Sequence, residues 1–414
     1  MVRPPYERTV GSMTKLTAQA LVRASGGPRY AVALTVDALG TGLLRPFLLL
    51  YGVTVLRLSA TATGIAMTAG VVVALVCMPG VGRWLDRGAR STVVAASMLI
   101  RVVGVALLLA TRPGQVWLFA AAVLFLGIGN QAWPAAHAAL VATVAQGRDR
   151  DAALAAGRSL RNAALGVGAL LATACLAGGP TALHAMAAAT GLAYLVAAAL
   201  AWSVHVQAPP TKGAVPTDAP PMLTLLAANV IYVFCLSVPE IAIPVVIVTQ
   251  LHASPAWSAA IFVANTVLVV TLQVPVTIAM SRFSRRTVLA FAGVVLAVSY
   301  LGFLAATSLA PGWRAPAVAA VSILCTLGEV MYAGSATALV AAETPPQLLG
   351  RALARFQLST GFSLAVSPAV ITTLAARSEA TVWLTLTTTT VLAATAIATE
   401  PGRQRRPRPQ PASR

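Results

Sequence analysis

Long apolar runs alternate with short polar interruptions along almost the whole chain. The runs fall at about 30–52, 60–81, 92–111, 116–144, 159–178, 181–204, 222–249, 256–280, 287–309, 316–342, 352–375 and 380–399. Each is long enough to cross ~30 Å of hydrocarbon as a helix. None has the short alternating pattern of a barrel strand, and helices and closed barrels are the structures that satisfy the backbone inside lipid. The pattern predicts an all-α membrane protein with twelve transmembrane helices. The longest polar interruption between runs, "VHVQAPPTKGAVPTDAPP" from Val204, carries prolines that break any helix. It divides the chain into a six-helix bundle at 30–204 and another at 222–399. A linker at 205–221 joins them, and basic tails flank them at 1–29 and 400–414.

Composition sharpens this picture. The chain of 414 residues is 58% hydrophobic and 10% charged, with a mean hydropathy of +0.81; a soluble domain is about 25% charged. The net charge of +18 raises the possibility of nucleic-acid binding. The arginines exclude it, because they sit in short clusters between apolar runs and form no stripe interleaved with aromatics. They fit a topogenic role instead. Twenty-three of the 29 Lys and Arg fall in the tails, the linker and alternate loops, whereas only Arg57, Arg112, Arg314 and Arg377 fall on the opposite side. The positive-inside rule then places both termini in the cytoplasm, with the chain in the plasma membrane. The Ala- and Arg-rich usage suggests a bacterial source with a GC-rich genome. The run from Tyr30 to Tyr51 contains Asp37 and lacks a small-residue cleavage site, so it reads as a first span and not as a signal peptide. Cys77, Cys175, Cys235 and Cys325 are far apart within apolar runs, with neither metal nor disulfide spacing. No cluster of His, Asp or Cys marks a membrane-embedded enzyme.

The two halves repeat each other. Sliding the second back by about 195 residues lays "TIAMSRFSRRTVL" from Thr277 on "GRWLDRGARSTVV" from Gly82, and matches Ser254 with Ser59. At a slide of about 199, "ALVAA" from Ala338 lies on "ALVAT" from Ala139. Two parallel six-helix repeats are the signature of one transporter architecture.

The stretch "GRWLDRGARS", Gly82 to Ser91, sits between the second and third runs. It resembles the hallmark loop of the major facilitator superfamily, roughly G-x-L-a-D-r-x-G-r-k. Gly82, Asp86, Arg87 and Arg90 match, whereas Trp84, Ala89 and Ser91 depart from the pattern. The resemblance implies a fold of two pseudo-symmetric bundles and a conformational latch in which Asp86 and the arginines meet the start of the eleventh helix. Ser281 stands where a second Asp86 would be, so the latch is expected on one side only.

Five charged residues fall deep inside predicted spans, away from their ends: Asp37, Arg45, Arg101, Glu240 and Glu329. Each needs a cavity or a partner. The family resemblance implies that spans one, four, seven and ten line the central cavity, which makes Asp37, Arg45, Asn130, Trp133, Glu240 and Glu329 the candidate substrate- and proton-binding residues. Arg101, on the third span, is expected to find a structural partner or to snorkel. His137 and His184, near span ends, are expected to have no special role. Glu240 lies between Pro239 and Pro244, which free backbone carbonyls and kink the span. An acid on the first span resembles the coupling carboxylate of drug/proton antiporters, although the Gly-Pro motif frequent on their fifth span is missing from "RNAALGVGALLATACLAGGP".

The resulting expectation is a monomeric secondary transporter that exports a small drug- or antibiotic-like compound by alternating access. It would use no cofactor, with the proton gradient as energy source and the lipid bilayer and the substrate as partners. The alternatives are proton-coupled uptake of a metabolite, which a strongly polar cavity would favour, and a non-transporting sensor or scaffold. The cavity is expected to be sparse and mostly apolar.

Overall fold

A computed structural model describes residues 22–88, 90–206, 222–254 and 256–400. Most of the predicted linker and nearly all of both predicted tails lie outside the described residues. Twelve long helices follow one another: α1 (Pro28–Val55), α2 (Ala60–Asp86), α3 (Arg90–Ala110), α4 (Val116–Val144), α5 (Gly147–Cys175), α6 (Gly179–Trp202), α7 (Leu223–Val248), α8 (Ala256–Met280), α9 (Arg285–Thr307), α10 (Pro311–Glu343), α11 (Leu349–Arg377) and α12 (Glu379–Thr399). Among the described residues there is no strand. α5 and α6 run on almost without a gap, and Gly179, at φ 60°, turns the chain between them.

Local chemistry sets several ends. Ser59, Ser284 and Ser378 cap α2, α9 and α12 by accepting from the backbone N–H three residues on. Ser254, the repeat partner of Ser59, accepts from the N–H of Ala256. α1 and α7 are the irregular members of the two bundles. Arg45–Phe47 tightens into a 3₁₀ turn ahead of a π turn at Tyr51–Val55. α7 widens into π turns at Val238–Ala242 and Val246–Gln250, around Pro239 and Pro244.

The halves meet along two seams, α2 against α11 and α5 against α8. Within the first half, α1 and α5 approach most closely at Gly42 and Gly168, where a Cβ on either would strike the other helix's backbone.

One correction concerns α5. Its apolar run predicts a start near 159, but the helix begins at Gly147. Arg148, Arg150 and Arg158, which the apolar run leaves in the preceding loop, are helical, as is Arg161 at the start of that run. Arg351 and Arg355 likewise lie inside α11. A charge ends an apolar run in sequence, but a helix continues through it where a partner meets the charge.

Candidate functional site

A cavity of about 370 Å³ lies between the halves, walled by α1, α4, α5, α7, α10 and α11. Of the predicted site residues, Arg45, Asn130 and Trp133 line it. Gln131 and Gln357 face each other across the halves, with Gln357 Nε2 donating to Gln131 Oε1 at 3.0 Å. Three arginines, Arg45, Arg158 and Arg161, line the cavity, and no carboxylate is among the lining residues. The cavity holds more polar side chains than expected, although the larger part of its wall is apolar, as expected.

Asp37 lies behind this wall, fully buried. Arg101 Nη2 binds its Oδ1, and Arg161 Nη1 binds its Oδ2 at 3.0 Å. Arg45 does not pair with it, and among the described residues Arg45 has no ion-pair partner within 4 Å. Two turns of helix separate Asp37 from Arg45, whereas Arg101 and Arg161 come to it from α3 and α5. Arg101 does not snorkel. It is wholly buried, donates to the Ser97 carbonyl, and lies over the Tyr194 ring at 4.4 Å. Gly129 makes room for it, because a Cβ there would overlap Arg101 Cγ and the Ser97 carbonyl oxygen. Arg161 also covers the Trp133 ring at 4.0 Å.

Glu329 is buried on α10 and held from two other helices. Arg158 Nη2 donates to its Oε1 at 3.2 Å, and Asn265 Nδ2 to its Oε2 at 3.1 Å. Arg158 belongs to the first half and Glu329 to the second, so this pair spans the seam. Glu240, by contrast, is exposed, forms no ion pair among the described residues and does not line the cavity. His137, expected to have no special role, is buried, shares a 2.8 Å hydrogen bond with the Tyr30 hydroxyl and stacks on Trp133 with centroids 4.9 Å apart. His184 is exposed.

At the arginine-rich face, Asp86 reaches the first turn of α11. Its Oδ1 accepts from the N–H of Gly350 at 2.7 Å and of Arg351 at 3.3 Å, and its Oδ2 from Arg351 Nε at 2.7 Å. A carboxylate at a helix N-terminus meets both free N–H groups and the positive end of the dipole. Gly82 and Gly350 allow the approach: a Cβ on Gly82 would lie 2.9 Å from Arg351 Cα, and one on Gly350 2.7 Å from Asp86 Oδ1. Arg90 is buried and donates to the Pro346 carbonyl at 3.1 Å. Arg87 departs from its predicted place in the latch, being exposed and without an ion pair among the described residues.

A second charged contact closes the other seam, contrary to the one-sided expectation. Arg285, at the start of α9, donates through Nε to Asp151 Oδ2 on α5 at 2.8 Å. Beside it, Arg150 donates to the Ala341 carbonyl near the end of α10 at 3.0 Å. Ser281 does stand at the position of Asp86, but the acid of this seam comes from α5.

Sequence reasoning missed Arg158, Arg161, Asp151 and Arg285 as members of these sites. The i, i+3 spacing of Arg158 and Arg161, continued by Leu154 and Leu165 on the same cavity wall, was the available signal. Among the described residues no three His, Cys, Asp or Glu side chains converge as a metal site.

Comparison with known proteins places this geometry. The chain is similar to the crystal structure of the human organic anion transporter MFSD10 (TETRAN), at 15% identity and a TM-score of 0.66, covering 92% of this chain and 100% of that one. It is similar to a bacterial homologue of the iron transporter ferroportin in an outward-facing state, at 11% identity and a TM-score of 0.72, covering 89% and 98%. It is also similar to the proton:xylose symporter XylE, at 14% identity and a TM-score of 0.68, covering 91% and 94%. At these identities the likeness concerns the fold. No curated protein matches the sequence. The Major Facilitator Superfamily model matches each half in turn, over residues 30–239 and 225–414. With two six-helix repeats, a charged turn closing onto the eleventh helix and a cavity between the halves, the chain belongs to the major facilitator superfamily, a multi-pass membrane transporter and not an enzyme.

Proposed function

We propose that the chain is a proton-coupled symporter that takes up a small polar organic compound by alternating access. The observation that carries this reading is the Arg158–Glu329 pair, an ion pair across the two halves at the cavity wall. Rocking the halves pulls this pair apart, whereas the two arginines of Asp37 belong to its own half and travel with it. A proton on Glu329 releases Arg158 into the cavity, where a substrate acceptor can take its place. Proton and substrate then bind cooperatively, which is the logic of symport. The drug-export reading rested on an acid on the first span and an apolar cavity. Asp37 is occupied on both oxygens, and arginine and amide side chains enter the cavity wall, so both supports are weaker than the sequence suggests.

The arginine-rich distribution supports a cytoplasmic placement of the face that carries Asp86 and Asp151. On that assignment the two charged seams close the cytoplasmic side. Tails, linker and termini are proposed to be cytoplasmic in a plasma membrane, the protein acting as a monomer with no cofactor.

The test is proton movement in proteoliposomes loaded with a pH-sensitive dye while a panel of metabolites and drugs is added outside. Symport predicts lumenal acidification on substrate addition, abolished in Glu329→Gln and kept in Glu240→Gln. Lumenal alkalinisation would replace this reading with export, and flux that survives Glu329→Gln would remove Glu329 from the coupling step.

A further inference from the structure

We infer that the transported compound is an organic anion, with an anionic head recognised by Arg45, Arg158 and Arg161 and an apolar body. This rests on the reading of the cavity as the transport site. Charge comes first. Three arginines, Arg45, Arg158 and Arg161, line the cavity and a fourth, Arg101, is buried behind its wall, against two carboxylates that meet them, Asp37 and Glu329. Glu240 is close enough to Arg45 to feel its charge, and counting it still leaves one positive charge in excess. Arg45 and Arg161 also lie within electrostatic reach of each other. Two like charges held together at a low-dielectric wall are stabilised by an anion between them.

Hydrogen bonding points the same way. The guanidinium groups of Arg45, Arg158 and Arg161 line the cavity and can only donate, and no carboxylate is among the lining residues; this suits a carboxylate, sulfonate or phosphate oxygen and disfavours an ammonium. Behind the wall, Trp133 Nε1, Arg158 Nε and His137 Nε2 are buried without a partner. Planar guanidinium groups bind such oxyanions in pairs of parallel hydrogen bonds. The rest of the wall is apolar, with Leu236, Phe356 and Leu364, and about 370 Å³ lies within the range of sites for small organic ligands.

A series sharing one body and differing in charge tests this: 1-naphthoate, 1-naphthylmethanol and 1-naphthylmethylammonium. Binding is followed calorimetrically on the full chain in detergent. The naphthoate should bind at least about tenfold tighter than the ammonium, and Arg45→Gln should weaken it by about tenfold or more, the scale of one charge-assisted contact. Arg45 is exposed, so the variant should fold, and Arg45→Lys, which keeps the charge but not the paired hydrogen bonds, should recover only part of the loss. Equal or tighter binding of the alcohol or the ammonium, an unchanged naphthoate affinity in Arg45→Gln, or no binding of the naphthoate up to its solubility would each overturn the inference. Proton flux separates it from the symport reading. Naphthoate that binds without moving protons refutes coupling and leaves the anion site standing. Proton flux driven by the ammonium refutes the anion site and leaves coupling standing.

Discussion

Replacing Asp86 with Ala removes the acceptor for three hydrogen bonds between the halves: two from the backbone at the start of α11 and one from the Arg351 guanidinium. Hydrogen bonds to a charged group contribute about 1.5–3 kcal/mol each when isolated, and a carboxylate at a helix N-terminus contributes up to ~2 kcal/mol. The three share one carboxylate, and opening replaces them with water, so the closed seam loses about 2–4 kcal/mol in total. At 1.4 kcal/mol per tenfold, the balance between closed and open states of this face shifts about 30- to 700-fold. The contact between Asp151 and Arg285 lies on the other seam and should add nearly independently. The assay is a spin-spin distance measurement between labels at Arg83→Cys and Arg282→Cys, both exposed and one in each half, in a background without the four native cysteines. Asp86→Ala should broaden the distribution toward longer distances, and adding Asp151→Ala should move most molecules there. If the double variant keeps the wild-type distribution, the charged seams do not hold this face shut.

Three further outcomes follow from particular residues. Asp37→Ala leaves Arg101 buried without its carboxylate and should cost about 3–5 kcal/mol, seen as a large drop in thermal stability in detergent; Asp37→Leu with Arg101→Met should recover part of it. Gly129→Ala places a methyl on Arg101 Cγ and the Ser97 carbonyl, and should destabilise by about 1–3 kcal/mol, whereas Gly64→Ala, which meets nothing within 4 Å, should be close to silent. A thiol at Arg87, exposed, should react with a membrane-impermeant maleimide in everted vesicles and not in intact cells, and the reverse result would invert the proposed topology.

The helices were legible because lipid imposes the same demand at every turn: about twenty apolar residues in a row. Runs such as 60–81 and 256–280 need no tertiary information, and α2 and α8 lie where those runs do. The site was legible only in part, because its logic is pairing between distant residues. Asp37 announced itself as a charge in an apolar run, but its partners lie 64 and 124 positions away. Arg158 looked like a loop residue because its acid, Glu329, is 171 positions downstream in the other half. The second seam was missed for a related reason. The repeat points to an acid at the position of Asp86, whereas the acid of that seam, Asp151, sits on the opposing helix.

That arrangement has a consequence for how the two halves can associate. Both acids, Asp86 and Asp151, belong to the first half, and both arginines, Arg351 and Arg285, to the second. Asp151 and Arg351 stand in the opening turns of α5 and α11, equivalent helices of the two repeats. Two copies of the first half, docked as the halves are here, would set acid against acid at both seams, and two copies of the second would set arginine against arginine. If the repeats descend from a duplicated ancestor that paired with itself, they have since become mutually exclusive complements. Expressed as separate polypeptides, they should sort into mixed pairs and leave like pairs apart.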